Sequence, residues 1–212
     1  MYLKAIIAII FIHEFLIAVV YGHMIFNRPE VFGISDPIAL EQPLDKSSTN
    51  WVCAGKTPGS KSKVIHLQAG RTYGFDITCG ERNLNSPGCL TGDWHAGDLA
   101  TDYAGCLLSI NYKGYANAAD YKIMSHSKQC AKRGSNSHFR ISSNVENCDL
   151  CICSWSFAPS VMHSTPQFFH NCFYCKITGW RGKQSRMRTM MSINVPGSQY
   201  DQVTYNNIFK IT

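Results

Sequence analysis

The sequence predicts an all-β fold: an immunoglobulin-like antiparallel β-sandwich with long loops, closed by disulfide bonds. Three observations predict it. Short β-branched or aromatic runs recur along the chain with Gly, Pro, Asn and Asp clusters between them, the spacing of a sandwich. No stretch carries the 3.6-residue apolar period of a long amphipathic helix. The ten cysteines all lie beyond residue 22, an even set in a chain whose start reads as a secretion signal.

Taken in order, the chain opens with Lys4 and an apolar run over 5–21, with Val20 and Gly22 at the minus-three and minus-one positions of a cut. This reads as a signal peptide over 1–22, leaving 23–212 as one secreted domain. Kept as an uncleaved anchor, the same run would be marginal in length, and no later apolar run reaches the ~18 residues that a membrane span needs. Residues 27–50, rich in Pro, Asp and Ser, read as an extended lead-in and loop, and Trp51-Val52-Cys53-Ala54-Gly55 as a second anchored segment. Residues 63–67 and 72–78, separated by Ala69-Gly70-Arg71, read as the two strands of a hairpin. Residues 80–101 form a long Gly-, Asn-, Pro- and Asp-rich loop, and 103–112 a strand with Cys106, Leu108 and Ile110 on one face. A helical turn fits 116–121, with strand again over 122–124, 139–142 and 150–157. Alternation in 150–157 puts Cys151, Cys153, Trp155 and Phe157 on one face. Three further strands are expected over 168–178, 190–195 and 203–211.

Composition narrows the function. Hydrophobic residues are 45% and charged residues 16%, which marks a globular chain and not a disordered one. The net charge of +6 is scattered, and its densest cluster, Lys176, Arg181, Lys183, Arg186 and Arg188, reads as a solvated face. Nucleic-acid binding has no place in a secreted chain, and no membrane contact is expected after cleavage. A Gly-x-Ser-x-Gly elbow, a dinucleotide fingerprint and a phosphate loop are all missing from the sequence. Cys148-x-x-Cys151-x-Cys153 could be a metal knuckle, but an oxidising compartment favours disulfides. A local bridge Cys79–Cys89 and a bridge Cys106–Cys130 are expected.

Cleavage after Gly22 makes His23 the first residue of the mature chain. An N-terminal histidine carries two nitrogen donors, the α-amine and ring Nδ1, which can chelate one metal ion. The amine, with a pKa of about 7.7–8.0, gives up its proton readily to a competing metal. A second histidine is needed, and His95, in the glycine-flanked stretch Gly92-Asp93-Trp94-His95-Ala96-Gly97-Asp98, is the best placed. His66 falls inside a strand and reads as structural; His126 and His138, beside Ser-rich turns, read as surface residues.

These residues carry a resemblance. His23-Met-Ile-Phe-Asn-Arg-Pro-Glu-Val-Phe-Gly33 after a signal peptide looks like the opening of lytic polysaccharide monooxygenases, most of all the fungal chitin-active group (auxiliary activity family eleven-like). Residues 51–55, His95 running on to Cys106-Leu-Leu-Ser-Ile-Asn-Tyr112, Phe139-Arg-Ile141 and Ser154-Trp-Ser-Phe157 resemble later segments of that family. Gln167-Phe-Phe-His-Asn-Cys172 resembles its Glu/Gln-Phe-Tyr-Met-Asn-Cys segment. The resemblance implies a copper histidine brace, with the amine and Nδ1 of His23 and Nε2 of His95 as three nitrogen ligands. It implies Phe169 as a non-ligating residue on the axial face, Gln167 as the amide beside the metal, and a Cys53–Cys172 bridge. His163, four residues before Gln167, is either a proton donor near the metal or a surface or core residue. The ten residues between His95 and Cys106, with Asp93, Asp98 and Asp102 crowding the loop, depart from the family's compact run.

The activity so implied is copper-dependent oxidative cleavage of glycosidic bonds in an insoluble polysaccharide, chitin before cellulose. The chain would act as a monomer, with O2 or H2O2 and an external electron donor. The alternatives are a secreted copper carrier or copper-uptake protein on the same fold, and a disulfide-rich interaction protein without metal.

Overall fold

The computed structural model describes residues 24–42, 44, 52–61, 63–79, 103–114, 120–127, 130, 137–159, 168–179 and 182–190. Among them are nine strands: β1 (Met24–Phe26), β2 (Val64–Gln68), β3 (Thr72–Phe75), β4 (Ile77–Cys79), β5 (Tyr103–Asn111), β6 (Lys122–Ser127), β7 (Ser137–Arg140), β8 (Cys148–Pro159) and β9 (Phe169–Thr178). The one α-helix described, α1 (Pro37–Leu40), starts where Asp36 Oδ1 accepts from Ala39 N–H at 3.2 Å and Pro37 takes the first turn, so local chemistry alone explains it.

The fold is an immunoglobulin-like β-sandwich. A five-stranded sheet in the order β2-β9-β8-β5-β6 is faced by two two-stranded sheets, β1-β4 and β3-β7. All pairs are antiparallel except β2–β9, which is parallel. β8 and β9 lie inside the sheet with both faces covered, so residues 151–157 and 169–175 are buried without a break, Ser154 and Ser156 of β8 included. On one face, the opposed pairs Phe157–Phe169, Trp155–Asn171 and Cys153–Phe173 meet the short sheets. Aromatic rings fill that layer: Phe26 meets Phe75 at 4.9 Å, Phe173 at 5.0 Å and Trp155 at 6.4 Å, and from Trp155 the contacts run on to Phe157 and then Phe169. Truncating any one of these rings to Ala should cost about 3–5 kcal/mol. The other face packs Ile152, Cys172 and Tyr174 under Phe32, Leu44, Cys53, Tyr121 and Met190.

The expected hairpin over 63–67 and 72–78 does not form. β2 adds to the edge at β9, with Ile65 opposite Cys175. Residues 72–79 split at Asp76 into β3, paired with β7, and β4, paired with β1. The turn between β2 and β3 explains the difference. Gly70 has φ of +80°, Ala69 N–H donates to Thr178 O in the large sheet, and Gly70 N–H donates to Ile141 O beyond β7. Tied to both layers, the turn carries the chain across the sandwich instead of back along β2.

Four disulfides lie among the described residues: Cys53–Cys172, Cys106–Cys130, Cys148–Cys151 and Cys153–Cys175. The first two were expected. The last two consume the Cys148/Cys151/Cys153 group, so its knuckle reading is set aside. Cys89 lies outside the described residues, and with it the Cys79–Cys89 expectation. So do the helical turn over 116–119 and the strands expected over 191–195 and 203–211. Met190 itself is buried, its N–H bonded to Tyr121 O, outside any strand.

Candidate metal centre and its framework

β1 begins one residue after His23 and is buried throughout, with Met24, Ile25 and Phe26 at 4%, 0% and 0% exposure. Two partners hold it. On one side it pairs with β4, Met24 opposite Cys79 and Phe26 opposite Ile77. On the other, the Phe26 N–H donates to Asn171 Oδ1 of β9 at 2.9 Å. Asn171, fully buried, also donates from Nδ2 to Leu40 O at 3.3 Å, so one side chain ties β1 and the end of α1 to the central sheet. Leu40 O is one of the carbonyls that a helix leaves without a partner at its end.

Phe169, two residues before Asn171, shares its face of β9. Its ring is fully buried and stacks on Phe157 with centroids 5.8 Å apart. This is a hydrocarbon wall with no donor atom. His170 points to the other face and is also fully buried. Its Nδ1 accepts the Cys53 N–H at 3.1 Å, so the proton of the neutral ring is on Nε2, which lies 4.0 Å from Cys172 Sγ. Tyr121 meets the His170 ring edge-on at 5.0 Å, and its hydroxyl reaches Cys53 Sγ and Cys172 Sγ at 3.5 and 3.4 Å.

This knot explains the backbone at 53–55. Cys53 and Ala54 adopt left-handed φ values of 56° and 52°, followed by Gly55 at 70°. Each non-glycine residue there costs about 1–2 kcal/mol. The disulfide to Cys172 and the hydrogen bond to His170 hold the turn against that cost. Sequence reading passed over His170 and Asn171 as individuals. Their signal was present only as two adjacent polar residues near the start of a strand whose next four residues are Cys and aromatic.

Of the residues expected at the site, His23, His95, His163 and Gln167 lie outside the described residues, as do Asp93, Asp98 and Asp102; Phe169 alone is described. Among the described residues no group of three His, Cys, Asp or Glu side chains could hold a metal. His66 proves solvent-exposed on β2, between buried Ile65 and Leu67; His138 is exposed on β7 as expected. Among the described residues, two titrating groups are displaced by their surroundings. Burial, then the charge of Glu146, pushes the Tyr112 phenol up to about 12. A hydrogen bond from Lys176, then its charge, holds the exposed Asp149 carboxyl below its usual value.

No protein-family model matches the sequence, and no curated protein matches it. Solved structures do. One is the extended catalytic domain of H. jecorina LPMO9A, also called EG4, with 12% identity and a TM-score of 0.35 over 57% of this chain and 50% of that one. Another is a cellulose-active polysaccharide monooxygenase from M. thermophila, with 14% identity and a TM-score of 0.37 over 66% of this chain and 63% of that one. The chain thus spans half the length of the first and less than two thirds of the second. Among the described residues no helix is long and apolar enough to cross a membrane.

Proposed function

We propose that residues 23–212 form a single secreted domain, released at Gly22, in which His23 and His95 hold one copper ion. We further propose that it cleaves glycosidic bonds oxidatively in an insoluble polysaccharide, chitin before cellulose, as a lytic polysaccharide monooxygenase does. One observation carries the reading. β1 starts at the residue after His23, is fully buried, and sets Met24 opposite Cys79, the last residue of β4. From Cys79 the chain enters the segment that contains His95. Two paired strand ends thus adjoin the two stretches of sequence that would supply the ligands.

The donor chemistry fits copper. Amine and imidazole nitrogens suit both of its common oxidation states. Cys53, Cys106, Cys130, Cys148, Cys151, Cys153, Cys172 and Cys175 are tied up in disulfides and cannot compete as thiolates, and Phe169 offers only hydrocarbon. Copper, when bound, supplies the redox chemistry with O2 or H2O2 and an external reductant. The chain's own residues supply the rest. His23 gives its deprotonated amine and Nδ1, and His95 its Nε2. Gln167 donates or accepts a hydrogen bond beside the ion, and His163 holds a proton for transfer. Phe169 would turn only hydrocarbon toward a bound ion. Asn171 holds β1, and so the first residues of the mature chain, against β9.

A second reading, a copper carrier on the same fold, is favoured by Asp93, Asp98 and Asp102 around His95, since a carboxylate in an open position would favour storage. The decisive experiment begins with the N-terminal residue of the secreted protein, expected to be His23. Copper titration and paramagnetic resonance then compare it with a form extended by one residue, whose amine has become an amide. Three-nitrogen binding should be lost in the extended form while the fold persists; equal signals and affinities would reject the brace. Soluble oxidised oligosaccharides from chitin with ascorbate separate the enzyme from the carrier.

A further inference from the structure

Beside β6 the fold builds a basic cleft. Residues 186–190 run along the outer edge of β6. Ile123 N–H donates to Arg188 O at 2.8 Å, Met190 N–H donates to Tyr121 O at 2.7 Å, and Lys122 forms an antiparallel bridge with Thr189. Alternation along this segment buries Met187 and leaves Arg186 and Arg188 exposed. β7 does the same, burying Ser137 and Phe139 and exposing Arg140. The three arginines line one cleft of about 290 Å3 with Ser125 and the turn residues Ser142 and Asn144. That volume sits at the lower end of the ~300–1,000 Å3 typical of small-molecule sites.

Two observations point to a ligand. The ion pairs among the described residues use Arg28, Lys56, Lys113 and Lys176, and none uses the three arginines of the cleft. Three guanidinium groups around a concavity, with no carboxylate among its described lining residues, attract an anion. Independently, Ser125 is only 5% exposed, lines the cleft, and its hydroxyl has no hydrogen-bond partner. A register shift aims it there. Ser109 stands opposite Ile123 and Leu108 opposite Ser125, so Met124 is an additional residue in β6. Buried hydroxyls normally find partners, and a bound oxyanion would supply one.

We infer that this cleft binds a sulfate- or phosphate-like oxyanion, free or carried on a sugar. The guanidinium groups of Arg140, Arg186 and Arg188 donate to its oxygens, and so does the Ser125 hydroxyl. The site is independent of the copper reading and survives its failure.

Calorimetric titration of the secreted protein at constant ionic strength tests the inference, with sodium sulfate, glucose 6-sulfate and glucose as probes. Both anions should bind saturably and glucose should not. Arg140→Gln and the double variant Arg186→Gln/Arg188→Gln should each weaken binding at least about fivefold, and Ser125→Ala about two- to threefold. Lys176→Gln, a charge outside the cleft, should change nothing. Tighter binding of glucose 6-sulfate than of sulfate identifies a sugar-borne anion as the ligand; equal binding identifies the free ion. The inference is overturned if neither anion saturates, if glucose binds as well as its sulfate, or if Lys176→Gln weakens binding as much as Arg140→Gln. Near-UV dichroism of each variant reports its fold. The arginines are exposed, so their loss leaves the core intact.

Discussion

Asn171 offers the sharpest test of how β1 is held. Replacing it with Leu keeps the size of the side chain and removes both of its hydrogen bonds. The Phe26 N–H and the Leu40 carbonyl are then left in the core without partners, since Phe26 and Leu40 are 0% and 1% exposed. Each stranded backbone group costs about 1–3 kcal/mol, so the pair costs about 2–6 kcal/mol. Burying a Leu side chain in place of an amide returns about 1–2 kcal/mol of transfer free energy. From the midpoints, about 4 less about 1.5, the net loss should be about 2.5 kcal/mol. Urea unfolding monitored by tryptophan fluorescence measures it through the midpoint at unchanged slope. Amide exchange adds a local readout: the Phe26 N–H should exchange much faster in Asn171→Leu, and that of Ile123, bonded to Arg188 O in another part of the fold, should keep its protection relative to global stability. A loss under about 1 kcal/mol, or an unchanged Phe26 amide, would refute the claim that Asn171 is what anchors β1 to β9.

Further expectations follow from other contacts. Removing the Cys53–Cys172 bridge, which spans a sequence separation of 119, should cost about 4.9 kcal/mol on the chain-entropy model; removing Cys153–Cys175, separation 22, should cost about 3.4 kcal/mol, and calorimetry of the two double-alanine variants checks the order. Ala54→Gly relieves a left-handed residue at φ 52° and should stabilise by about 0.5–1 kcal/mol after the greater freedom of the unfolded chain is counted; a destabilised variant in the same urea assay would contradict the reading of that turn. The Tyr112 phenol, raised to about 12 in the fold, favours the folded state fully below the unfolded value near 10 and loses that contribution as pH climbs from 10 to 12. With the ring only half-buried the effect is about 1 kcal/mol, and the stability gap between wild type and Tyr112→Phe should shrink by that amount over the window.

How much was legible in the chain differs by level. Strands over 64–68, 103–111, 150–157 and 169–178 could be read from local residues, because side-chain alternation and β-branched composition act within a single strand. Their partners could not, because a period of two says which face is buried and nothing about which edge is next to which. The split at Asp76, the parallel addition of β2 to β9 and the crossing at Gly70 are settled by hydrogen bonds to residues some seventy or more positions away, at Ile141 and Thr178. The cysteines divide the same way. Their oxidation was expected from an even count. The Cys148–Cys151 and Cys153–Cys175 pairing needed the register of β8 against β9. For the candidate copper site, His23 and His95 stand out as residue types in recognisable surroundings, since chelation by an N-terminal histidine is local chemistry. The buried Asn171 that holds β1, the His170 that holds the left-handed turn, and the convergence of Arg140, Arg186, Arg188 and Ser125 on one cleft join residues from separate elements. Only the packed sandwich brings such residues together, because burial and hydrogen-bond geometry exist between elements and not along any one of them.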